Sequence, residues 1–200
     1  MNYFHLEAKV VSRGTGRSVI AAAAYASCSR LYNDYDGLTH DYTRKQGCLY
    51  SEVFLPQYAP EEWKDRQVLW EAVESVEKTK DSRLARELVV ALPSELSLDD
   101  WKGMLERFIR EQGTDLGMCA DVNIHDPYPP GHNPHSYIAT LYLPYVLWMN
   151  TVNGRQKPRK NISVSVAKKN VALLLTSSKL PRHRDGKNNI CISSGRKRNI

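Results

Sequence analysis

The sequence predicts an α+β domain, an antiparallel sheet with flanking helices. Three observations carry this. Short apolar segments with a period near two are closed by glycine, proline or polar turns. Two longer segments repeat their apolar residues at helical spacing. The two kinds are mixed in order rather than strictly alternating, as in folds that set helices against an antiparallel sheet. No internal repeat interrupts the pattern.

The elements follow in chain order. Tyr3–Val10 alternates loosely and reads as a first strand. Ser12–Ser18 is a polar, glycine-bearing turn, and the Ser18 hydroxyl can cap the helix that Val19-Ile-Ala-Ala-Ala-Ala-Tyr25-Ala favours by propensity. Residues 32–48 are polar and loop-like, with turn chemistry at Asn33–Gly37. Ser51–Leu55 is a strand closed by Pro56. Pro60 is placed to start a helix carrying Trp63, Val68, Leu69, Trp70 and Val73. Asp81–Glu87 by itself reads as a charged helix end, and Arg86–Leu92 as a buried strand. Ser97–Asp100 opens a helix with Trp101, Met104, Leu105, Phe108 and Ile109 on one face. Met118–His125 is a strand, Tyr128–Gly131 a loop, and His135 opens the next strand.

Charge divides the chain in two. Residues 1–140 hold 15 Lys and Arg against 21 Asp and Glu, a net of −6. Residues 141–200 hold 13 against the single acid Asp185, a net of +12. The whole-chain +6 therefore says nothing about the first part, and any nucleic-acid site must rest on residues within it. The reading is a domain over 1–140 and a basic, poorly ordered tail over 141–200. Cys28, Cys48, Cys119 and Cys191 are scattered without a CxxC pair, which argues against a structural zinc site and a disulfide framework. The N-terminus has no apolar signal core, and Val171–Leu175 is too short to span a bilayer. The expectation is a cytoplasmic protein with no membrane partner.

Three features could carry chemistry. Tyr25 lies in an alanine-rich helix just after Arg13 and Arg17; alone, it reads as a half-buried helix aromatic. His125 and His135 lie on what read as adjacent antiparallel strands beside polar loops, where two imidazoles could share a metal. Asp81–Glu87 is the third, a charged segment without further context.

Together these residues resemble the MobA/MobL family of plasmid mobilisation relaxases, in the HUH endonuclease superfamily. The resemblance runs in order through His5…Lys9, Ser12-Arg13…Gly16-Arg17-Ser18, Ala21–Tyr25, Asp34…Gly37…His40-Asp41-Tyr42…Lys45 and Leu55-Pro56…Ala59-Pro60. It continues through Leu69-Trp70…Val73-Glu74…Glu77, Ala85-Arg86-Glu87…Leu92-Pro93, Ala120-Asp121…Ile124-His125 and Asn133-Pro134-His135, covering about residues 1–138. It implies an HUH relaxase-like palm, with Tyr25 at the catalytic tyrosine and His125 and His135 at two of three histidines for a divalent ion, manganese or magnesium. It places Glu87 at an acidic position suited to orienting a histidine ligand. Arg13, Arg17 and Ser18, with His40 and Lys45, would hold phosphates. The implied substrate is single-stranded or hairpin DNA at a transfer origin, handled with relaxosome accessory proteins. The implied reaction is site- and strand-specific nicking by tyrosine transesterification.

The sequence departs from the family at Tyr137, where the third histidine is expected, and after Tyr145, where a run like Arg-Pro-Met-Asp-Glu-x-Gly-x-Trp is expected. Back-translated from Tyr145 and read one base earlier, the codons of Trp148-Met149-Asn150 can give Met-Asp-Glu, with the flanking family residues around it. This reads as a slipped frame and an incomplete C-terminal end. The bland reading of the same tail is a genuine basic DNA-binding extension. A truncated chain would have impaired or no nicking activity, which leaves two alternatives. One is a non-catalytic remnant that binds single-stranded or hairpin DNA, separable by a covalent adduct on Tyr25. The other is a rolling-circle replication initiator, disfavoured by the long Leu55–Leu92 block.

Overall fold

The computed structural model describes residues 5–126 and 137–144. Among these, the main sheet has five strands in the order β1-β5-β7-β6-β4: β1 Leu6–Ser12, β5 Arg83–Leu92, β7 Tyr137–Pro144, β6 Ala120–His125 and β4 Cys48–Phe54. Every neighbouring pair is antiparallel. A separate hairpin pairs β2 (Arg30–Asn33) with β3 (Leu38–Asp41). The helices are α1 Val19–Ser27, α2 Arg66–Val76 and α3 Leu98–Gln112. The α+β reading with an antiparallel sheet and flanking helices holds.

Residues paired directly across antiparallel strands share a face, and alternate residues of one strand point to opposite faces. Glu87 pairs with Tyr142 and Tyr142 with Asp121, so these three lie on one face together with Asn123 and His125. That face carries α1 and α2, packed through Val19, Ile20, Ala23, Leu69, Trp70 and Val73 against Val11, Val53 and Ala85. The opposite face is apolar. Leu88, Val90, Val122, Ile124, Ala139 and Leu141 meet the Trp101, Leu105, Phe108 and Ile109 stripe of α3. Burial of this kind contributes roughly 1.5–3 kcal/mol per large aliphatic side chain.

Local chemistry explains the helix ends. The Ser18 hydroxyl accepts from the Ala21 N–H at 3.1 Å and caps α1 as expected. Ser97 and Asp100 form a reciprocal capping box on α3. The helix expected from Pro60 is split: Glu61–Lys64 makes a short 3-10 turn, and Asp65 breaks away to cap α2 through the Gln67 N–H. The segment expected as a loop over 32–48 holds the β2–β3 hairpin, which closes over the Asn33–Gly37 turn. Gln67 docks it by bonding both the N–H and the C=O of Tyr32, at 2.8 and 2.6 Å. Asp81–Glu87 is no helix end; Arg83 already begins β5.

The boundary at 140 also moves. Strand β7 runs through it to Pro144, between β5 and β6, with Leu141, Tyr142 and Leu143 buried. Residues 141–144 therefore belong to the centre of the sheet rather than to a tail. His135 and the expected slip after Tyr145 lie outside the described residues. No helix among the described residues is long and apolar enough to cross a membrane.

Candidate active site

One end of the α1/α2 face gathers the chemistry. Tyr25 sits near the C-terminus of α1 and is 53% exposed, unlike the buried alanines around it. This is no packing aromatic. Lys45, from the segment before β4, donates to the Tyr25 carbonyl at 3.0 Å and holds its ammonium 3.8 Å from the Tyr25 ring centroid. Tyr42 meets the same ring edge-on at 5.3 Å.

His125 ends β6 beside this helix. Its ring N–H donates to the Ala26 carbonyl, one residue after Tyr25. Burial is the main cause that pushes its pKa down to about 4, with the Lys45 charge adding to it. His125 is therefore neutral at pH 7, with one nitrogen anchored and the other available as a lone-pair donor. The strand end is itself pinned. Asp126 donates its N–H to the Gly47 carbonyl at 2.8 Å. Gly47 has φ +91°, and a Cβ there would lie 2.4 Å from the Asp126 carbonyl oxygen, so only glycine allows this approach.

Behind His125 the same strand carries a buried polar network. Asp121 is fully buried and accepts from Arg66 Nε at 2.8 Å, Arg66 Nη2 at 3.0 Å, Trp70 Nε1 at 2.9 Å and Asn123 Nδ2 at 3.0 Å. Ser51 donates to Asn123 Oδ1 at 2.6 Å and accepts from Arg66. With its acceptors filled, Asp121 is an anchor that fixes β6 to α2 and β4.

Other expected site residues are placed elsewhere. Glu87 is buried, and its oxygens accept from Arg17 Nη2 and from the Tyr142 hydroxyl, both at 2.9 Å. Its row of the sheet is four residues from that of His125, roughly 13 Å along the strands. Glu87 therefore does not orient His125; it fixes Arg17 and Tyr142. Arg13 turns inward, with a side chain only 7% exposed. It pairs with Glu74, bonds the Glu77 and Thr79 carbonyls and lies under the Tyr35 ring. Arg13 is a clasp between β1 and α2, and its donors are not open to phosphate. Ser18 is committed to capping and to the Asn33 amide. Arg17 is partly exposed beyond Glu87. His40, on β3, is half-buried with Asp36 at 3.7 Å, and its Nε2 has no hydrogen-bond partner among the described residues.

Tyr137 is also redirected. It lies on the α3 face, 4.6 Å from the Trp101 ring centroid, on the side of the sheet opposite His125. It does not stand in for a ligand beside His125. The residues missed from sequence are Cys28 and Cys48. The Cys28, Cys48 and His125 ligand atoms all lie within 4.8 Å of one another. The scattered spacing hid this, since the β4–β6 register alone brings Cys48 opposite His125.

The comparisons agree with the fold and with the resemblance. The MobA/MobL family profile matches residues 17–182. The chain is 40% identical over 151 residues to the conjugal transfer protein TraA of Rhizobium radiobacter, covering 70% of this chain and 13% of that protein. It is 39% identical over 127 residues to the mobilization protein MobL of Acidithiobacillus ferridurans, covering 64% of this chain and 33% of the relative. A probable mobilization protein MobA of Bifidobacterium longum is 38% identical over 138 residues, 69% of this chain and 24% of that one. The chain thus spans a third or less of these relatives. A solved structure described as the molecular basis of vancomycin resistance transfer in Staphylococcus aureus superposes with a TM-score of 0.74 at 28% identity, over 87% of this chain and 91% of its own. With the family matched over most of its length, the chain belongs to the MobA/MobL family.

Proposed function

We propose that this chain is the nicking domain of a conjugative mobilisation relaxase, acting on single-stranded or hairpin DNA at a transfer origin. The carrying observation is the juxtaposition of Tyr25, Lys45 and His125 at one open end of the α1/α2 face, two of them joined to consecutive carbonyls of α1. Family membership and the names of the relatives support the same reading.

Tyr25 supplies the nucleophile. Its oxygen forms a bond to phosphorus, the bond to the leaving sugar oxygen breaks, and the phenolic proton passes to solvent or a base. The phosphotyrosine linkage conserves the energy of the cleaved bond, so the strand can be rejoined. Lys45 fixes the ring and places positive charge beside it, where a phosphate would approach. His125 is a neutral imidazole with its second nitrogen anchored, which suits it to hold a divalent ion, manganese or magnesium; His135 is proposed to share it. Such an ion would neutralise charge on the non-bridging oxygens and orient the phosphorus.

DNA contact is assigned to Lys45 and the exposed part of Arg17; the exposed rings of Tyr32, Tyr35 and Tyr58 are of the kind that stack on bases. An out-of-frame origin of the chain after about residue 138, over the basic 141–200 segment, is part of this proposal although residues 141–144 pair within β7, and the coding sequence over codons 130–160 tests it directly. For the activity, the chain is incubated with an origin-like oligonucleotide and Mn²⁺ and resolved on a denaturing gel. A covalent adduct that disappears on chelation is expected. Binding without any adduct in the presence of Mn²⁺ would leave only the non-enzymatic DNA-binding reading.

A further inference from the structure

We propose that Cys28, Cys48 and His125 form a binding site for a thiophilic divalent ion, zinc above all, next to the Tyr25 helix. This does not rest on the nicking function, but it claims the same free His125 nitrogen: an ion held by the two thiols would displace the manganese or magnesium proposed above from that imidazole.

Geometry carries the inference. The three ligand atoms lie within 4.8 Å of one another, although they come from three separate elements. Tetrahedral ligands at ~2.3 Å from zinc stand ~3.8 Å apart, so small rotamer adjustments close the set. Both thiols are free and half-buried, not lost in the core.

Two local backbone features aim the thiols. Cys28 ends α1 in the left-handed region, φ 52°, and is the one non-glycine residue with positive φ among the described residues. Glycine favours that position, and a cysteine there carries a backbone cost. Cys48 faces His125 because β4 carries an extra residue: Tyr50 pairs with Ile124 while Cys48 pairs with His125, leaving Leu49 bulged and exposed. In straight register residue 49 would oppose His125. A bulge that re-aims a side chain is a recurrent feature beside sites.

The chemistry fits zinc better than a hard ion. Two sulfurs and one imidazole select zinc over magnesium or manganese. Two thiolates would neutralise its charge, so the neighbouring Lys45 is tolerated. The Ala26 carbonyl bond anchors the His125 ring. Three protein ligands leave a fourth position open.

The test uses the full, reduced chain with Co²⁺ as an optical stand-in for zinc. One equivalent is expected to give a thiolate-to-cobalt charge-transfer band, abolished by one equivalent of Zn²⁺. Cys28→Ser and Cys48→Ser should each weaken zinc binding by more than ~100-fold, since even partners one shell further out cost ~10–100-fold. Cys191→Ser should leave the band unchanged. In the unaltered chain, Zn²⁺ should protect Cys28 and Cys48 from iodoacetamide in a peptide map. No band, a band that survives Cys28→Ser, or unprotected Cys28 in the zinc-loaded chain overturns the proposal.

Discussion

The two faces of the sheet are built from the same strands and read very differently. The α3 face is apolar and self-sufficient: Leu88, Val90, Val122, Ile124 and Leu141 fill the space under one amphipathic helix. The α1/α2 face buries charge. Asp121, Glu87 and Arg13 sit in it, each paired, and its far end opens at Tyr25, Lys45 and His125. Polar burial is costly unless every group is satisfied. Here the cost is accepted where a strand end must be held in place, and avoided on the face that only supports.

The sharpest way to break this contrast is Asp121→Asn. It leaves Arg66 without its charge partner, and removing one member of a buried pair costs about 3–5 kcal/mol. Urea denaturation should show a loss of that size, with Arg66→Met in the same background recovering part of it. A loss below about 1 kcal/mol would mean that the network is not holding β6.

On the other face, Leu141→Ala should cost ~2–5 kcal/mol through the cavity that it leaves. It should not change the midpoint of divalent-ion titration of the folded chain. A loss of ion binding as large as the loss of stability would erase the distinction between the faces.

Acid should reveal the site face more gently. His125 has its pKa lowered from 6.5 to about 4, chiefly by burial, so the folded chain resists a proton that the unfolded chain accepts. Stability is fully present above pH 6.5 and falls as the pH drops from 6.5 towards 4. Discounted for solvent screening at a half-buried site, the loss is about 1–2 kcal/mol. His125→Asn should flatten that part of the pH–stability curve; an unchanged slope would assign the acid sensitivity to other groups.

The smallest expected effect is Tyr137→His. Because Tyr137 packs on Trp101 across the sheet from His125, the added imidazole should leave Mn²⁺ affinity within about twofold. A clear tightening by calorimetry would place residue 137 on the site face.

Much of this was legible in the sequence, and the failures have physical causes. The caps at Ser18 and Ser97 and the α3 stripe were readable because they depend on local spacing. Tyr25 and His125 were proposed from the resemblance, and both lie beside Lys45 in the fold. Arg13 was misread as a phosphate ligand because sequence shows its charge but not Glu74, 61 residues away, which draws it inward. The place of Glu87 was not legible because one partner, Tyr142, is set opposite it by strand register and the other, Arg17, reaches it from the turn before α1. The β2–β3 hairpin hid in a polar stretch because the buried positions of β2 are Leu31 and the polar Asn33, the exposed ones include the apolar Tyr32 and Leu38, and β3 has no fully buried residue, so burial and hydrophobicity do not coincide. The cysteines were dismissed on spacing, which cannot show a bulge.

The central claim is that the open end of the charged face carries a nucleophile at Tyr25. The most direct measurement is to trap the chain on a labelled origin-like oligonucleotide with Mn²⁺, digest it and sequence the nucleotide-bearing peptide by mass spectrometry. The account predicts the nucleotide on Tyr25, and no adduct from Tyr25→Phe despite retained DNA binding. Attachment at Tyr42 or another residue, or an undiminished adduct from Tyr25→Phe, would contradict it.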